Sequence, residues 1–379
     1  MLRHSTPVRD LVRRRIKTAA RLLIFSAVLS TVLCRAADNP PLKIVVAGDA
    51  RAEYPWRAQR SCDHDGMNDV VTRAISEAVL KEEASILLWT GDIVNVNDKN
   101  PDTLKKGLEK WRGIMAPLYS ASKKVWPVRG NHEIYRYPFQ NNYDGEPIPN
   151  ASGIWRKVFS GPYALPPHSP SGEEDLSFYF VKAPVLIIGL DQYGGRDGNS
   201  DPLKRKHLVN QKWLDRVLEQ HKQPLTFVFG HEAAFMAGHH SDDDTLSADA
   251  SARNLFWQSL VNARAVYFCG HDHFYDRMSV VRNSSPAGRE TFQVTAGTAG
   301  APFYNAGEYA GSALWKLQRV QKFEKGYGYV LIEVENNRAT ITFKGVKAET
   351  CSETDQFAFK PIDQMVCDAS GCKTVSVNP

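Results

Sequence analysis

The chain has 379 residues, 42% of them apolar and 23% charged, a composition that suits a packed globular body and excludes a disordered or collagen-like one. Its formal net charge is +5, but residues 1–36 alone carry a net +7, which leaves −2 for residues 37–379. A body so close to neutral, with no basic stripe, argues against nucleic acid as a stable partner. No apolar run long enough to span a bilayer follows the first 36 residues, which excludes a multi-span transporter.

Those first residues read as an export leader. A basic stretch ends near Arg21, a 13-residue apolar run follows at 22–34, and "CRAA" offers small residues for cleavage. Thirteen residues are too few for a comfortable membrane span, so a signal peptide over 1–36 is expected, with a retained N-terminal anchor as the alternative. Membrane contact would then come only through an uncleaved leader, and the expected destination is secreted or periplasmic. Export permits disulfides. Five cysteines lie beyond the leader, so at least one thiol stays free. Cys367–Cys372, or a pairing with Cys351, fits the spacing, and Cys269 reads as a buried small residue.

Short apolar runs predict strands at 43–47, 86–90, 125–128, 177–181, 185–190, 225–229 and 265–269. Helix-like periodicity fills 68–83, 102–119, 206–220 and 251–262. Alternation of this kind predicts an α/β fold, a layered α/β/β/α sandwich with mixed sheets. Runs at 277–281, 290–295, 328–335 and 339–343 have little helix between them and predict an antiparallel half. One catalytic domain is expected over 42–346, followed by an irregular tail over 349–379. Residues 136–151, 162–174 and 239–249 read as surface loops, long enough to be lids.

The chemistry gathers at strand ends. "KIVVAGDAR" puts Asp49 after the first buried run, "ILLWTGD" puts Asp92 after the second, and "VWPVRGNHE" puts Asn131 and His132 after the third. "LTFVFGH" and "AVYFCGHDH" add His231, His271 and His273. In open α/β sheets, sites form at the carboxyl ends of strands, and glycine there lets the backbone turn sharply. Asp, Asn and His together make a mixed oxygen and nitrogen donor set for transition metals or zinc. The set exceeds what one four-coordinate ion needs, so two ions are expected. Two divalent ions ~3.5 Å apart repel by roughly 19 kcal/mol at an effective dielectric near 20, and a carboxylate ~2.1 Å from each attracts each by roughly 16 kcal/mol. One bridging Asp can offset the repulsion, and Asp92 is the candidate.

"GDAR", "GDIVN", "GNHE", "GHEAAF" and "GHDH" resemble, in order and spacing, the motifs of calcineurin-like metallophosphoesterases, a group that includes purple acid phosphatases and cyclic-nucleotide phosphodiesterases. The resemblance covers roughly residues 43–346 and extends to "GTAGAPFY" and "GYGYVLIEV". It implies a pair of divalent ions, or Fe(III) with a divalent ion, drawn from Fe, Mn and Zn. It implies Asp92 as the bridge, Asn131, His231 and His271 on one ion, and Asp49 and His273 on the other. It also implies His132 near the substrate phosphate as acid or stabiliser, oriented by Glu133.

The first motif departs from that pattern. Many members have Asp-x-His there; this chain has Asp49-Ala50-Arg51, and a guanidinium has no lone pair to give. Asn95, three residues after Asp92, is a candidate ligand through its amide oxygen. Arg51 is expected either to grip phosphate with its planar fork or to form an ion pair with an acid such as Glu53. His64 could supply a substitute ligand, although a solvated loop is the simpler reading. His239 and His240 could shape a lid, and Tyr54, Trp56, Tyr135 and Tyr137 could stack on a substrate ring or simply pack. The expected function is an exported binuclear phosphoesterase that hydrolyses a small phosphate mono- or diester with metal-activated water. The alternative is a single-metal or degraded-site member of the fold, a weak phosphatase or a phosphate-binding protein. The sequence leaves the substrate, the native metals and the oligomeric state open.

Overall fold

The computed structural model describes residues 41–377, apart from 99, 139–144, 195–206, 241–244, 285–289, 310–311 and 349–350. The leader lies outside the described residues. Among those described, no helix is long and apolar enough to cross a membrane.

Two seven-stranded sheets carry the fold. In the first, Leu42–Ala47 lies between Ile86–Trp89, to which it is parallel, and Gly326–Glu335, to which it is antiparallel. Lys124–Pro127 closes one side, and Arg338–Lys347, Lys360–Asp368 and Gly371–Val375 extend the other. The second sheet runs Trp315–Phe323, Tyr275–Arg282, Thr291–Ala296, Val266–Cys269, Leu225–Phe229, Val185–Gly189 and Phe178–Lys182. Both sheets are mixed, and helices cover them. Alternation along single strands shows the layering. Ile187, Phe227 and Phe268 join the large core shared with the first sheet. Their neighbours in the chain, Ile188, Val228 and Tyr267, pack with Trp213 and Leu214 of helix Gln211–Gln220 and Trp257 of helix Ala250–Ala263. A strand has a side-chain period of 2, so a run apolar at every position must be covered on both faces.

Helix starts follow local chemistry. Asn68 caps Asp69–Lys81 through Val71 N, Asn100 caps Pro101–Ile114 through Asp102 N, and Asp249 caps Ala250–Ala263 through Ser251 N and Ala252 N. The periodicity at 102–119 resolves into two helices, Pro101–Ile114 and Ala116–Ser120, because Pro117 cannot donate to a continuous ladder.

The segment 349–379 was expected to be irregular; Lys360–Asp368 and Gly371–Val375 are strands. Asp363 accepts from Arg277 Nε at 2.6 Å, Arg277 Nη2 at 2.7 Å and the Tyr275 hydroxyl at 2.7 Å, which ties the first sheet to the second. Cys367 pairs with Cys372, and Cys351 pairs with Cys62 across 289 residues of sequence. Cys269 is free and buried.

Candidate metal centre

Asp49, Asp92 and His271 each follow a strand and a glycine, and each adopts a left-handed backbone, with φ of 65°, 49° and 69°. Such conformations cost a non-glycine residue about 1–3 kcal/mol and persist where the surrounding structure enforces them. Two glycines at strand ends, Gly130 and Gly270, make room for a neighbour's carboxylate. A Cβ on Gly130 would lie 2.1 Å from Asp92 Oδ1, and one on Gly270 would lie 2.0 Å from Asp49 Oδ2.

These turns bring two buried ligand sets together. Asp92, His231 and His271 form one, and Asp49, Asp92 and His273 form the other, with the donor atoms of each set within 4.8 Å of one another. Asp92 belongs to both. His231 donates from Nδ1 to the Thr90 carbonyl at 2.8 Å, which leaves the Nε2 lone pair facing inward. Asp92 Oδ1 lies 3.3 Å from that nitrogen, Asn131 Oδ1 3.0 Å and His271 Nδ1 3.0 Å. Asn131 Nδ2 donates to the Tyr137 hydroxyl at 2.7 Å, which directs Oδ1 toward His231. An amide oxygen and an imidazole lone pair that face each other are two acceptors with no proton between them, an arrangement that suits a cation. In the other set, His273 donates from Nδ1 to the Pro302 carbonyl at 2.6 Å and turns Nε2 toward Asp49 Oδ1, 3.7 Å away.

Charge points the same way. Asp49 is fully buried; Oδ1 accepts from His271 N, and Oδ2 has no hydrogen-bond partner. Burial and the Asp92 carboxylate push the Asp49 pKa well above the ordinary carboxylate value. Burial and the Arg51 charge hold His132 and His273 well below the usual histidine value, so both rings are neutral. Neutral imidazoles among crowded carboxylates are what a divalent ion requires of its ligands.

Three expected roles change. Asn95 was expected to offer its amide oxygen to an ion; that oxygen instead faces His132 Nδ1 at 3.2 Å, while Nδ2 reaches the Ala52 and Glu53 carbonyls at 3.4 Å. Asn95 therefore orients His132, a task expected of Glu133. Glu133 accepts the amides of Gly130, Asp92, Ile93 and Val94 and stitches the loop bearing Asp92 to the loop bearing His132. Arg51 does not present a free fork. Its Nη2 donates to the Tyr304 hydroxyl at 2.6 Å and its Nη1 to the Ala52 carbonyl at 3.1 Å. Only Nε lacks a partner, and it lies 3.8 Å from Asp92 Oδ2. The acid nearest this nitrogen is thus Asp92 rather than Glu53.

His64 stands away from the centre, between Asp69 and Glu353. His239 stacks on Tyr304 and His240 on His271, with ring centroids 3.5 and 3.6 Å apart. Tyr54 stacks on Trp56, and its hydroxyl lies 3.4 Å from His132 Nε2. Sequence reasoning missed Tyr304, which packs on His273 and holds Arg51. Its only signal was its place at the end of "GTAGAPFY".

Residues 42–275 match the family model of calcineurin-like phosphoesterases. The structure is similar to that of a purple acid phosphatase from yellow lupin (Lupinus luteus) seeds, with a TM-score of 0.57 and 14% identity over 90% of this chain and 58% of that one. It is also similar to PhoD, with a TM-score of 0.59 and 10% identity over 90% of this chain and 73% of that one. The chain thus spans 58% of the length of the lupin phosphatase, and at these identities the likeness is one of fold. No curated protein matches the chain.

Proposed function

Because the chain belongs to the calcineurin-like phosphoesterase family, we propose that it is an exported hydrolase of a small phosphate mono- or diester, working with divalent ions, or Fe(III) and a divalent ion, of Fe, Mn or Zn. The observation that carries this reading is the sharing of Asp92 between two buried ligand sets. Asp92, His231, His271 and Asn131 would hold one ion, and Asp49, Asp92 and His273 the other. When bound, such ions act as Lewis acids on phosphoryl oxygens and make water a stronger nucleophile near neutral pH.

The chain's own groups supply the rest. His132 keeps Nδ1–H on Asn95, and its Nε2 lies 3.4 Å from the Tyr54 hydroxyl and 3.9 Å from Asp92 Oδ2. An imidazole there can pass a solvent proton to the leaving alkoxide. Arg51 offers a substrate oxygen its Nε–H, while Nη1 and Nη2 each already donate one hydrogen bond within the protein. The half-buried Tyr54–Trp56 pair borders the His132 side and is placed to exclude water from a leaving group. Export is supported by the leader's composition and by two disulfides, which persist in oxidising compartments.

The test is hydrolysis of p-nitrophenyl phosphate and of its bis ester by chelator-treated protein with Mn, Fe or Zn restored. Metal-dependent turnover is expected, with a loss of about a thousandfold or more in Asp92→Asn. Equal turnover before and after metal restoration would overturn the reading. The ratio of the two rates assigns monoester or diester preference.

A further inference from the structure

The two ligand sets differ in their donors, and they also differ in the position of Arg51. Asp92 turns Oδ1 toward His231 and Oδ2 toward Arg51 Nε, at 3.3 and 3.8 Å. The Arg51 side chain is 2% exposed and held on several sides. Tyr304 and Ala52 accept its terminal nitrogens, and its guanidinium lies over the Tyr54 ring, 4.6 Å from the centroid. Tyr304 is itself clamped between His239 and His273, with centroids 3.5 and 3.9 Å away and planes within 19° and 13° of its own. The tyrosine that fixes the guanidinium therefore lies flat against the histidine of the Asp49–Asp92–His273 set.

Arginine cannot shed its proton in a protein, so this charge is permanent. Asp49 and Asp92 bring two carboxylates into that set, and the guanidinium already balances part of their charge. An ion entering between Asp49, Asp92 and His273 meets a like charge at short range in a buried site, where solvent screens little. An ion held by Asp92, His231, His271 and Asn131 would use Asp92 on its Oδ1 side, where His231 lies, whereas Arg51 lies by Oδ2.

We propose that Arg51 is a built-in counter-charge to the Asp49–Asp92–His273 set, so that the chain holds one divalent ion tightly at Asp92, His231, His271 and Asn131 and a second only weakly. The inference rests on the metal-dependent reading above and deepens it. The two halves of the centre divide the work. One half retains its ion, and the other fills and empties with the metal supply while Arg51 supplies positive charge in the interval.

Titration of chelator-treated protein with Mn²⁺ tests this, by calorimetry for affinity and by electron paramagnetic resonance for coupling between ions. The wild type is expected to bind one Mn²⁺ tightly and a second at least about tenfold more weakly, with a coupled-pair signal only at high Mn²⁺. Arg51→Met removes the charge and is expected to bring the two affinities to within about threefold, while Arg51→Lys keeps the gap. Two equal tight sites in the wild type, or an unchanged gap in Arg51→Met, overturns the proposal. If Arg51→Met does not fold, Arg51→Gln replaces it; it also removes the charge, so the gap should narrow, and a folded Arg51→Gln protein with the wild-type gap overturns the proposal equally. Binding of no Mn²⁺ by the wild type would instead sink the metal-dependent reading itself, and this inference with it.

Discussion

The Glu133 carboxylate accepts the backbone amide of Asp92 at 3.0 Å, although 41 residues separate the two in sequence. Three further amides, those of Gly130, Ile93 and Val94, converge on the same side chain. Burial and the Asp92 charge push Glu133 up to about 8 against the pull of the Gly130, Val94 and Ile93 amides. The group thus belongs to the scaffold of the centre. Glu133→Ala would leave four buried amides without an acceptor and is expected to cost at least about 3 kcal/mol, read from urea unfolding. Turnover of p-nitrophenyl phosphate should fall about a hundredfold, because the Asp92 and His132 loops lose their common anchor.

Asn95 gives a cleaner separation of roles. If its amide oxygen orients His132, Asn95→Ala should lower kcat about tenfold and leave bound metal unchanged. Were Asn95 a ligand, metal content would drop with activity. Parallel measurement of metal per chain and kcat distinguishes the two, and His132→Ala should reproduce the kinetic defect more severely.

The bidentate contact of Asp363 with Arg277 joins the two sheets, with both side chains at most 7% exposed. Asp363→Ala would leave the guanidinium buried without its partner and is expected to cost about 3–5 kcal/mol in chemical denaturation. Replacing both residues by apolar ones of similar volume should recover much of that loss.

Glu82 lies at the end of helix Asp69–Lys81, where it accepts from Tyr329 and Lys344 on two strands of the first sheet. Burial opposes its charge, but Lys344 and Tyr329 together hold its pKa below the ordinary value of 4.5. A folded-state pKa below the unfolded one favours the native state above pH 4.5, and that contribution fades as pH falls through the folded value. Glu82→Gln should therefore be less stable than wild type at pH 7, by at most about 1 kcal/mol, and the two thermal midpoints should converge in acid.

The strands that carry the ligands were legible because each is a short apolar run stopped by glycine and a polar residue. Burial on both faces leaves a continuous run, and a site at strand ends leaves a donor at its close. Trp315–Phe323 and Lys360–Asp368 were not legible. The first is an edge strand, the second runs beside the short edge strand Gly371–Val375, and the charged or polar residues on their open faces mask the apolar alternation. The roles of Asn95, Glu133 and Tyr304 were hidden for another reason. Each acts on a partner remote in sequence, His132, Asp92 and Arg51 respectively, and local pattern does not report which distant groups will meet.

The strand Leu42–Ala47 pairs on one side with Ile86–Trp89 and on the other with Gly326–Glu335. A ribosome delivers the first of these neighbours early and the second only after most of the domain has emerged. Until then the apolar ribbon behind Asp49 waits with one row of amides open, a state prone to pairing with the wrong strand. Completion of the sheet behind Asp49 is thus a late event, reached when Gly326–Glu335 pairs with Leu42–Ala47.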